Sequence, residues 1–168
     1  MTDTVQDHPV VDPDEFRRIL GHFATGVTIV TAMVDDEPVG MAANAFSSVS
    51  LDPPLVLFCA AKSSSTWPKI HTTGSYAVNI LGEHQAEVCR NFATAPSGER
   101  FRDVAFHTAA TGSPILSDSV AFVDCRIDAE HDAGDHTIVV GRVVELGQFQ
   151  EELPPLLFHR GVYPRLAT

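Results

Sequence analysis

Small hydrogen-bonding side chains cluster on both sides of an apolar run within residues 40–66. The first cluster lies in 44–50 and the second in 62–66, where it includes Lys62, one of only two lysines in the chain. Loops hold phosphates with backbone N–H groups in a turn, supplemented by hydroxyls and a cation. The groups concerned are Asn44, Ser47, Ser48, Ser50, Lys62, Ser63, Ser64, Ser65 and Thr66. If a hairpin-like return brings the clusters together they form a phosphate site; the alternative is a solvated polar loop that precedes a helix cap.

The sequence lacks other patterns that are typical of nucleotide-binding, disulfide or metal sites. The glycine-rich fingerprints GxxxxGK[ST] and GxGxxG do not occur. Cys59, Cys89 and Cys125 stand in apolar stretches without CxxC spacing, which predicts buried, reduced thiols rather than a disulfide framework or structural zinc. The eight histidines lack HxH or HxxxH spacing, so no metal site is predicted.

The first element is an amphipathic helix. Asp12 offers an N-cap oxygen, Pro13 suits the first helical position, and Glu15 completes a capping-box arrangement. We expect the helix to end by Gly26. Its predicted apolar face consists of Phe16, Ile19, Leu20 and Phe23.

The rest of the chain is dominated by strand patterns. Turns are predicted at 35–38 and, as a hairpin, at 133–135. Two further segments have helical spacing, 66–72 and 83–93, and Thr66 is the predicted cap of the first. The predicted strands are 27–33, 39–46, 55–61, 76–81, 120–130, 136–146 and 156–163. Since long helices do not alternate with these strands, the pattern predicts a largely antiparallel β-barrel with a few short flanking helices.

Composition and charge narrow the classes of function. A chain of 168 residues predicts one domain, 12–168, preceded by a flexible tail, 1–11. The net charge of -11, with cations spread thinly along the chain, argues against nucleic-acid binding. No apolar run approaches the ~20 residues that cross a bilayer, and no secretion signal is recognised. We therefore expect a cytoplasmic protein without a membrane partner.

Several segments together resemble the short-chain flavin reductases, the NAD(P)H:flavin oxidoreductases of two-component flavin-dependent monooxygenases. The similarity extends from Phe16 to Tyr163, nearly the whole chain. The matching segments are "FRRILGHFATGVTIVT" (16–31), "GMAANAFSSVSLDPPLVLFCAAKSSST" (40–66), "YAVNIL" (76–81), "GERF" (98–101), "GDHTIVVGRV" (134–143) and "LLFHRGVY" (156–163). The resemblance implies the mainly β, Greek-key FMN-binding split barrel, usually a homodimer.

The resemblance also implies a reaction, in which hydride passes from NADH, or NADPH, to FAD or FMN. The reduced flavin then serves a separate monooxygenase. Such a transfer requires that two rings are held in the right position, and it needs no general acid or nucleophile. This agrees with the absence of a recognisable set of acid, base or nucleophilic residues in the sequence. The alternatives are a non-catalytic flavin carrier and a split-barrel oxidase of the pyridoxine-phosphate oxidase type, which would want a cluster of basic residues.

The same resemblance assigns roles to residues of this chain. His136 is implied to lie beside the nicotinamide; otherwise it is a hairpin-end histidine bonded to a neighbouring carbonyl. Ala42 stands where the family often has threonine, so one hydroxyl near the flavin is missing. The residues implied to bind flavin are Met41, Ala42, Ala43, Asn44, Ala45, Ser47, Ser48, Val49, Ser50, Cys59, Ala60, Lys62, Ser64, Ser65, Thr66, His159 and Tyr163.

The apolar runs 55–61 and 120–125 have more hydrophobic positions than a one-sided barrel wall requires. Surplus apolar surface of this kind marks an interface. We therefore predict an obligate homodimer.

Overall fold

Three α-helices and eleven strands form the described part of the chain, residues 11–149 and 152–166 of a computed structural model. The helices are α1 (Pro13–Leu20), α2 (Trp67–Thr72) and α3 (Ala86–Thr94). The strands are β1 (Thr25–Gly26), β2 (Thr28–Val34), β3 (Glu37–Ala43), β4 (Phe46–Leu51), β5 (Pro54–Ala61), β6 (Ser75–Ile80), β7 (Phe106–Thr108), β8 (Pro114–Leu116), β9 (Ala121–Ala133), β10 (His136–Gln148) and β11 (Leu157–Phe158). Apart from Val11, the predicted tail lies outside the described residues.

Seven strands form one antiparallel sheet in the order β3-β2-β6-β9-β10-β5-β4. The sheet curves until β3 comes close to β5. The backbone N–H of Cys59 donates to the carbonyl of Ala45 at 3.1 Å, which extends the pairing of β4 with β5. Two small antiparallel pairs, β1 with β11 and β7 with β8, flank the large sheet. The result is the antiparallel barrel with short outer helices that the strand pattern predicted.

Alternation along β5 shows how the barrel wall separates two environments. Val56, Phe58 and Ala60 are buried in the core, whereas Leu57 and Cys59 between them are half-buried on the outer face. Inside, the ring of Phe58 meets those of Trp67 and Tyr76 edge-on, with centroids 5.3 and 5.0 Å apart. Each such buried aromatic side chain contributes about 1.5–3 kcal/mol through area removed from water. Trp67 is therefore a core residue.

The N-terminal helix begins as predicted but is shorter. The Asp12 carboxylate accepts from the N–H groups of Asp14 and Glu15 at 3.0 and 2.8 Å, which satisfies two donors of the first turn. The helix ends at Leu20, before the predicted stop signal Gly26, because Thr25 and Gly26 pair as β1 with β11 and so need extended backbone. Its predicted apolar side chains, Phe16, Ile19, Leu20 and Phe23, are all exposed rather than packed in a core.

Two predicted hairpins are present and one predicted strand is shortened. Asp35 and Asp36 both have positive φ, as does Gly134 between β9 and β10, which suits tight hairpin turns. The predicted strand 156–163 is reduced to β11 because positive φ values at Arg160 and Gly161 turn the chain back. The strands β1, β4, β7 and β8 were not predicted. Residues 44–50 were interpreted as a polar loop, but Phe46–Leu51 form β4 because they pair with β5. No helix among the described residues is long and apolar enough to span a membrane.

Candidate functional site

Residues 40–45 face residues 59–66 along a line that we call the seam. Besides the bond between Cys59 and Ala45, the Ser64 hydroxyl lies 3.8 Å from the Met41 sulfur on the opposite side. Of the first polar cluster only Asn44 belongs to the seam, because Ser47, Ser48 and Ser50 pair with residues 55–57 of β5. The structure therefore brings the second cluster next to residues 40–45, and not next to the serines of the first cluster as predicted.

A cavity of about 1190 Å³ opens at the Asn44 end of the seam. Four predicted flavin-binding residues line it, namely Asn44, Ala45, Ser47 and Cys59. Another wall consists of Phe16 and Leu20 of α1 and of Phe23, three residues after the helix ends. A largely apolar cavity with a few polar groups is typical of cofactor sites. The exposed face of α1 is thus explained by the cavity that it borders.

Some predicted residues are present at the seam but offer no free side chain. Ala43 and Ala60 are buried in the barrel core, so only their backbone atoms can face a ligand. Ala42 packs half-buried toward the cluster that includes α3. Thr66 is buried and its hydroxyl accepts from Arg100 at 3.0 Å.

Beyond Ser47, strand β4 leads away from the cavity lining. Ser48 and Val49 are exposed, and Ser50 is half-buried; none of the three lines the cavity. Their assignment as flavin-binding residues therefore gains no support from the cavity.

Lys62 is not a free cation. Its ammonium group forms an ion pair with the carboxylate of Asp132, and its backbone N–H donates to the carbonyl of Asp135 at 2.9 Å. Asp132 is 80% exposed, and exposed ion pairs contribute only about 0–1 kcal/mol. Lys62 can therefore exchange this partner for a phosphate at little cost.

The start of α2 is capped by a different residue from the one predicted. The Ser64 hydroxyl accepts from the N–H groups of Thr66 and Trp67 at 3.2 and 3.1 Å, whereas Thr66 makes no side-chain cap. The reason is the backbone of Thr66, which is already helical (φ -93°, ψ -41°) rather than in the extended conformation of an N-cap residue. Ser65, next to it, is exposed.

His136 stands on the same outer face of the barrel as the cavity-lining residues of β5. It pairs with Ala61, and two residues further along β10 Ile138 pairs with Cys59, which separates His136 from that pair by roughly 7 Å. Successive pairs at this spacing share one face of a sheet. The imidazole is thus adjacent to the cavity, although it does not line it.

The His136 ring is oriented by a carboxylate and not by the neighbouring carbonyl of the alternative interpretation. Its Nδ1 lies 2.7 Å from an oxygen of Asp135, and this hydrogen bond, with the charge of the imidazole, lowers the pKa of Asp135. Because an ionised carboxylate only accepts hydrogen bonds, Nδ1 carries the proton. Nε2 is left to accept a hydrogen bond when the ring is neutral and to donate one when it is charged.

The C-terminal segment contributes to the cavity through residues other than those predicted. Phe158, Arg160 and Gly161 line it, whereas His159 and Tyr163 do not. The Tyr163 hydroxyl lies 3.3 Å from the Cys89 sulfur of α3, and this bond, together with burial, raises the pKa of Tyr163 to about 12. His159 instead meets His22 edge-on, with ring centroids 6.4 Å apart.

Comparison with known proteins identifies the family. Residues 20–167 match the family described as flavin reductase like domain. The chain belongs to this family. It is 44% identical over 153 residues to the reductase subunit HsaB of a flavin-dependent monooxygenase from Rhodococcus jostii, which covers 91% of this chain and 77% of the relative. It is 45% identical over 159 residues to a flavin reductase from Pseudomonas putida, covering 94% and 92% of the two chains.

Solved structures agree with the sequence comparison. Component B of nitrilotriacetate monooxygenase from Mycobacterium thermoresistibile superposes with a TM-score of 0.88 at 43% identity, covering 92% of this chain and 86% of that one. The NADH:FAD oxidoreductase of Streptomyces globisporus, in complex with NAD and FAD fragments, has a TM-score of 0.86 at 36% identity, covering 95% and 98%. The predicted family, split-barrel fold, oxidoreductase class, and flavin and nicotinamide reactants of this reductase are confirmed; its individual site residues remain predictions.

Proposed function

We propose that this reductase transfers hydride from NADH to FAD or FMN, holds the flavin ring in the cavity and its phosphate at the seam, and releases the reduced flavin to a separate monooxygenase. One observation carries the assignment. The cavity lies at the Asn44 end of the seam and is lined by Asn44, Ser47 and Cys59, while Ser64 meets Met41 across the seam, so segments 40–47 and 59–66 lie side by side. Relatives named as monooxygenase reductase components and as an FMN reductase that uses NADH support the reaction and the partner.

The cavity fits the planar part of a flavin. Its volume of about 1190 Å³ exceeds the ~300–1,000 Å³ of common small-molecule pockets, which leaves space for a second ring to stack. When bound, the flavin accepts the hydride and supplies the redox chemistry. Leu57 and Phe46 offer apolar contact, and the side chains of Asn44 and Ser47 supply hydrogen bonds that fix orientation.

The phosphate belongs at the other end of the seam. Lys62 supplies a cation there, and the exposed Ser65 supplies a hydroxyl. The Thr66 hydroxyl is buried and accepts a hydrogen bond from Arg100, so Thr66 holds the turn in place and makes no side-chain contact with the phosphate. The nicotinamide belongs next to His136, whose Nε2 is not engaged by Asp135.

Binding of FMN and of riboflavin, which lacks the phosphate, tests this arrangement. Lys62→Ala should weaken FMN binding by about 1.5–3 kcal/mol, the free energy of a charge-assisted hydrogen bond, which is a factor of about ten or more in Kd. Riboflavin affinity should not change. Lys69→Ala is the matched control, since Lys69 is the second lysine, exposed on α2. Unchanged FMN affinity in the Lys62 variant would remove Lys62 from the site.

A homodimer is part of the proposal. Leu51 is 95% exposed and Val49 is 49% exposed on β4, at the edge of the sheet, and Val144 and Leu146 are exposed on β10. Val49 and Leu51 lie next to run 55–61, because β4 pairs with β5. We also infer a cytoplasmic location, in keeping with three free cysteines and no disulfide among the described residues.

A further inference from the structure

Arg100, in the segment "GERF", bridges three parts of the chain with one guanidinium group. Its Nε donates to the carbonyl of Ala95 at 2.9 Å, and its Nη1 donates to the carbonyl of Gly40 at 2.8 Å and to the hydroxyl of Thr66 at 3.0 Å. All three acceptors are neutral. Within the ranges 11–149 and 152–166 no carboxylate forms an ion pair with Arg100, whereas its neighbour Arg102 is paired with Glu99.

The acceptors of Arg100 lie on both sides of the seam. Gly40 immediately precedes the flavin-binding stretch that begins at Met41, and Thr66 ends the segment assigned to the phosphate. Gly40 itself has no room for a side chain, since a Cβ there would lie 2.7 Å from the ring of Phe92. The Gly40 carbonyl, which accepts a hydrogen bond from Arg100, thus lies close to α3.

Arg100 is itself fixed in place. Its backbone carbonyl accepts from the Asn91 side chain of α3 at 2.8 Å, and the group is only half-exposed. Partial burial lowers the pKa of Arg100, but from an ordinary value so high that the guanidinium stays charged. A rigid cation with only neutral partners therefore stands one side chain away from the phosphate segment.

We propose that Arg100 is a positioning residue for flavin phosphate: it sets the width of the seam by holding Gly40 and Thr66, fixes the turn that ends at Thr66, and lends that segment a charge that no carboxylate of the described residues neutralises. This inference rests on the proposed function, which puts the phosphate at residues 62–66. It adds a residue that makes no contact with flavin and acts through Thr66.

The test compares FMN with riboflavin in Arg100→Met and Arg100→Lys. Arg100→Met should raise the Kd for FMN at least tenfold, because both the charge and the hydrogen bond that fixes the turn at Thr66 are lost, while the Kd for riboflavin changes less than threefold. Arg100→Lys, which keeps the charge but not the planar fork, should recover part of the FMN affinity. Arg102→Met, two residues away and ion-paired at the surface, is the control and should bind both flavins normally.

Thr66→Val tests the route by which Arg100 acts. It should weaken FMN binding severalfold in the natural chain and hardly at all in the Arg100→Met background, since coupled residues are not additive. If Arg100→Met fails to fold, Arg100→Lys and Thr66→Val carry the test: both should reduce FMN affinity and spare riboflavin. Equal losses of FMN and riboflavin, or no loss of FMN, would overturn the inference.

The outcome for Lys62 separates the inference from the proposed function. If Lys62→Ala loses FMN affinity and the Arg100 variants bind FMN normally, the proposed role of Arg100 is wrong and the phosphate assignment stands. Normal FMN affinity in Lys62→Ala and in the Arg100 variants alike would sink the phosphate assignment itself.

Discussion

At the end of the seam proposed for phosphate, Asp132 and a phosphate group compete for the same cation, Lys62. Asp132→Asn removes the carboxylate and leaves Lys62 free for phosphate. Because the exposed pair contributes at most about 1 kcal/mol, FMN should bind up to about fivefold more tightly, with riboflavin unaffected, in fluorescence titrations at low salt. Weaker FMN binding would mean instead that Asp132 holds Lys62 in its productive position.

The prediction for His136 concerns its Nε2, which we expect to form a hydrogen bond with the nicotinamide. His136→Ala should raise KM for NADH or lower turnover severalfold, the loss of one neutral hydrogen bond of about 0.5–1.5 kcal/mol, while flavin affinity stays nearly intact. Steady-state kinetics with each substrate varied in turn provide the check. A loss of a thousandfold would point to proton donation, and loss of flavin with normal NADH kinetics would reverse the assignment of the two ligands.

At the scale of elements, the cap of α2 explains why local sequence leaves some details undecided. The run 63–66 offers four hydroxyls within one turn, and all four are chemically able to cap a helix. Ser64 is the cap because the backbone of Thr66 is already helical, and the Thr66 hydroxyl is engaged by Arg100, a residue 34 positions away. By contrast, the cap at Asp12 and the hairpin at Gly134 were predicted correctly because the determining residues are adjacent in the chain.

The cap also gives a matched pair of variants. Ser64→Ala should lower the free energy of unfolding by about 1 kcal/mol, the usual contribution of an N-cap. Ser65→Ala should leave it unchanged, because Ser65 is exposed and makes no side-chain hydrogen bond among the described residues. Urea denaturation without flavin measures both, and equal effects at the two positions would contradict the assignment of the cap.

Strand β9 carries a buried carboxylate that makes stability depend on pH. Asp124 is fully buried and accepts from the backbone N–H and hydroxyl of Thr111 at 2.8 and 2.6 Å. Burial raises the pKa of Asp124 above its ordinary value, an effect that the Thr111 hydrogen bonds oppose and the Glu145 charge increases. The folded state therefore holds this proton more tightly than the unfolded chain, and stability from this group declines as pH rises through the folded pKa.

Asp124→Asn removes that titration. Relative to the natural chain, the variant should gain stability as the pH is raised from about 4, the ordinary Asp pKa, toward neutrality. Urea unfolding of the two proteins at a series of pH values gives the difference directly. A difference that does not vary with pH would show that Asp124 does not titrate in this way.

At the scale of the whole molecule, the barrel was predictable and the cavity was not. Runs such as 55–61 and 136–146 reveal strands because β-branched and apolar residues favour a pleated, buried surface. The cavity depends on α1 leaving Phe16, Leu20 and Phe23 unburied beside Asn44 and Ser47. The same apolar periodicity is typical of a helix packed on a core, so the sequence alone gave no sign of an open wall.

Exposed apolar residues on the outer strands predict the state of association. Light scattering at micromolar concentration should give about twice the 18.1 kDa mass of one chain. Leu51→Asp, at a side chain that is 95% exposed in the single chain, should shift the mass toward that of one chain without unfolding it. A monomeric mass for the natural protein would contradict the homodimer.

The pairing of β1 with β11 joins residues that are far apart in the sequence, Thr25 with Phe158. Phe158 and Arg160 also line the cavity, together with residues of α1. During synthesis on the ribosome, α1 therefore emerges more than 130 residues before these partners. The cavity wall cannot be assembled until residues 157–161 have emerged as well.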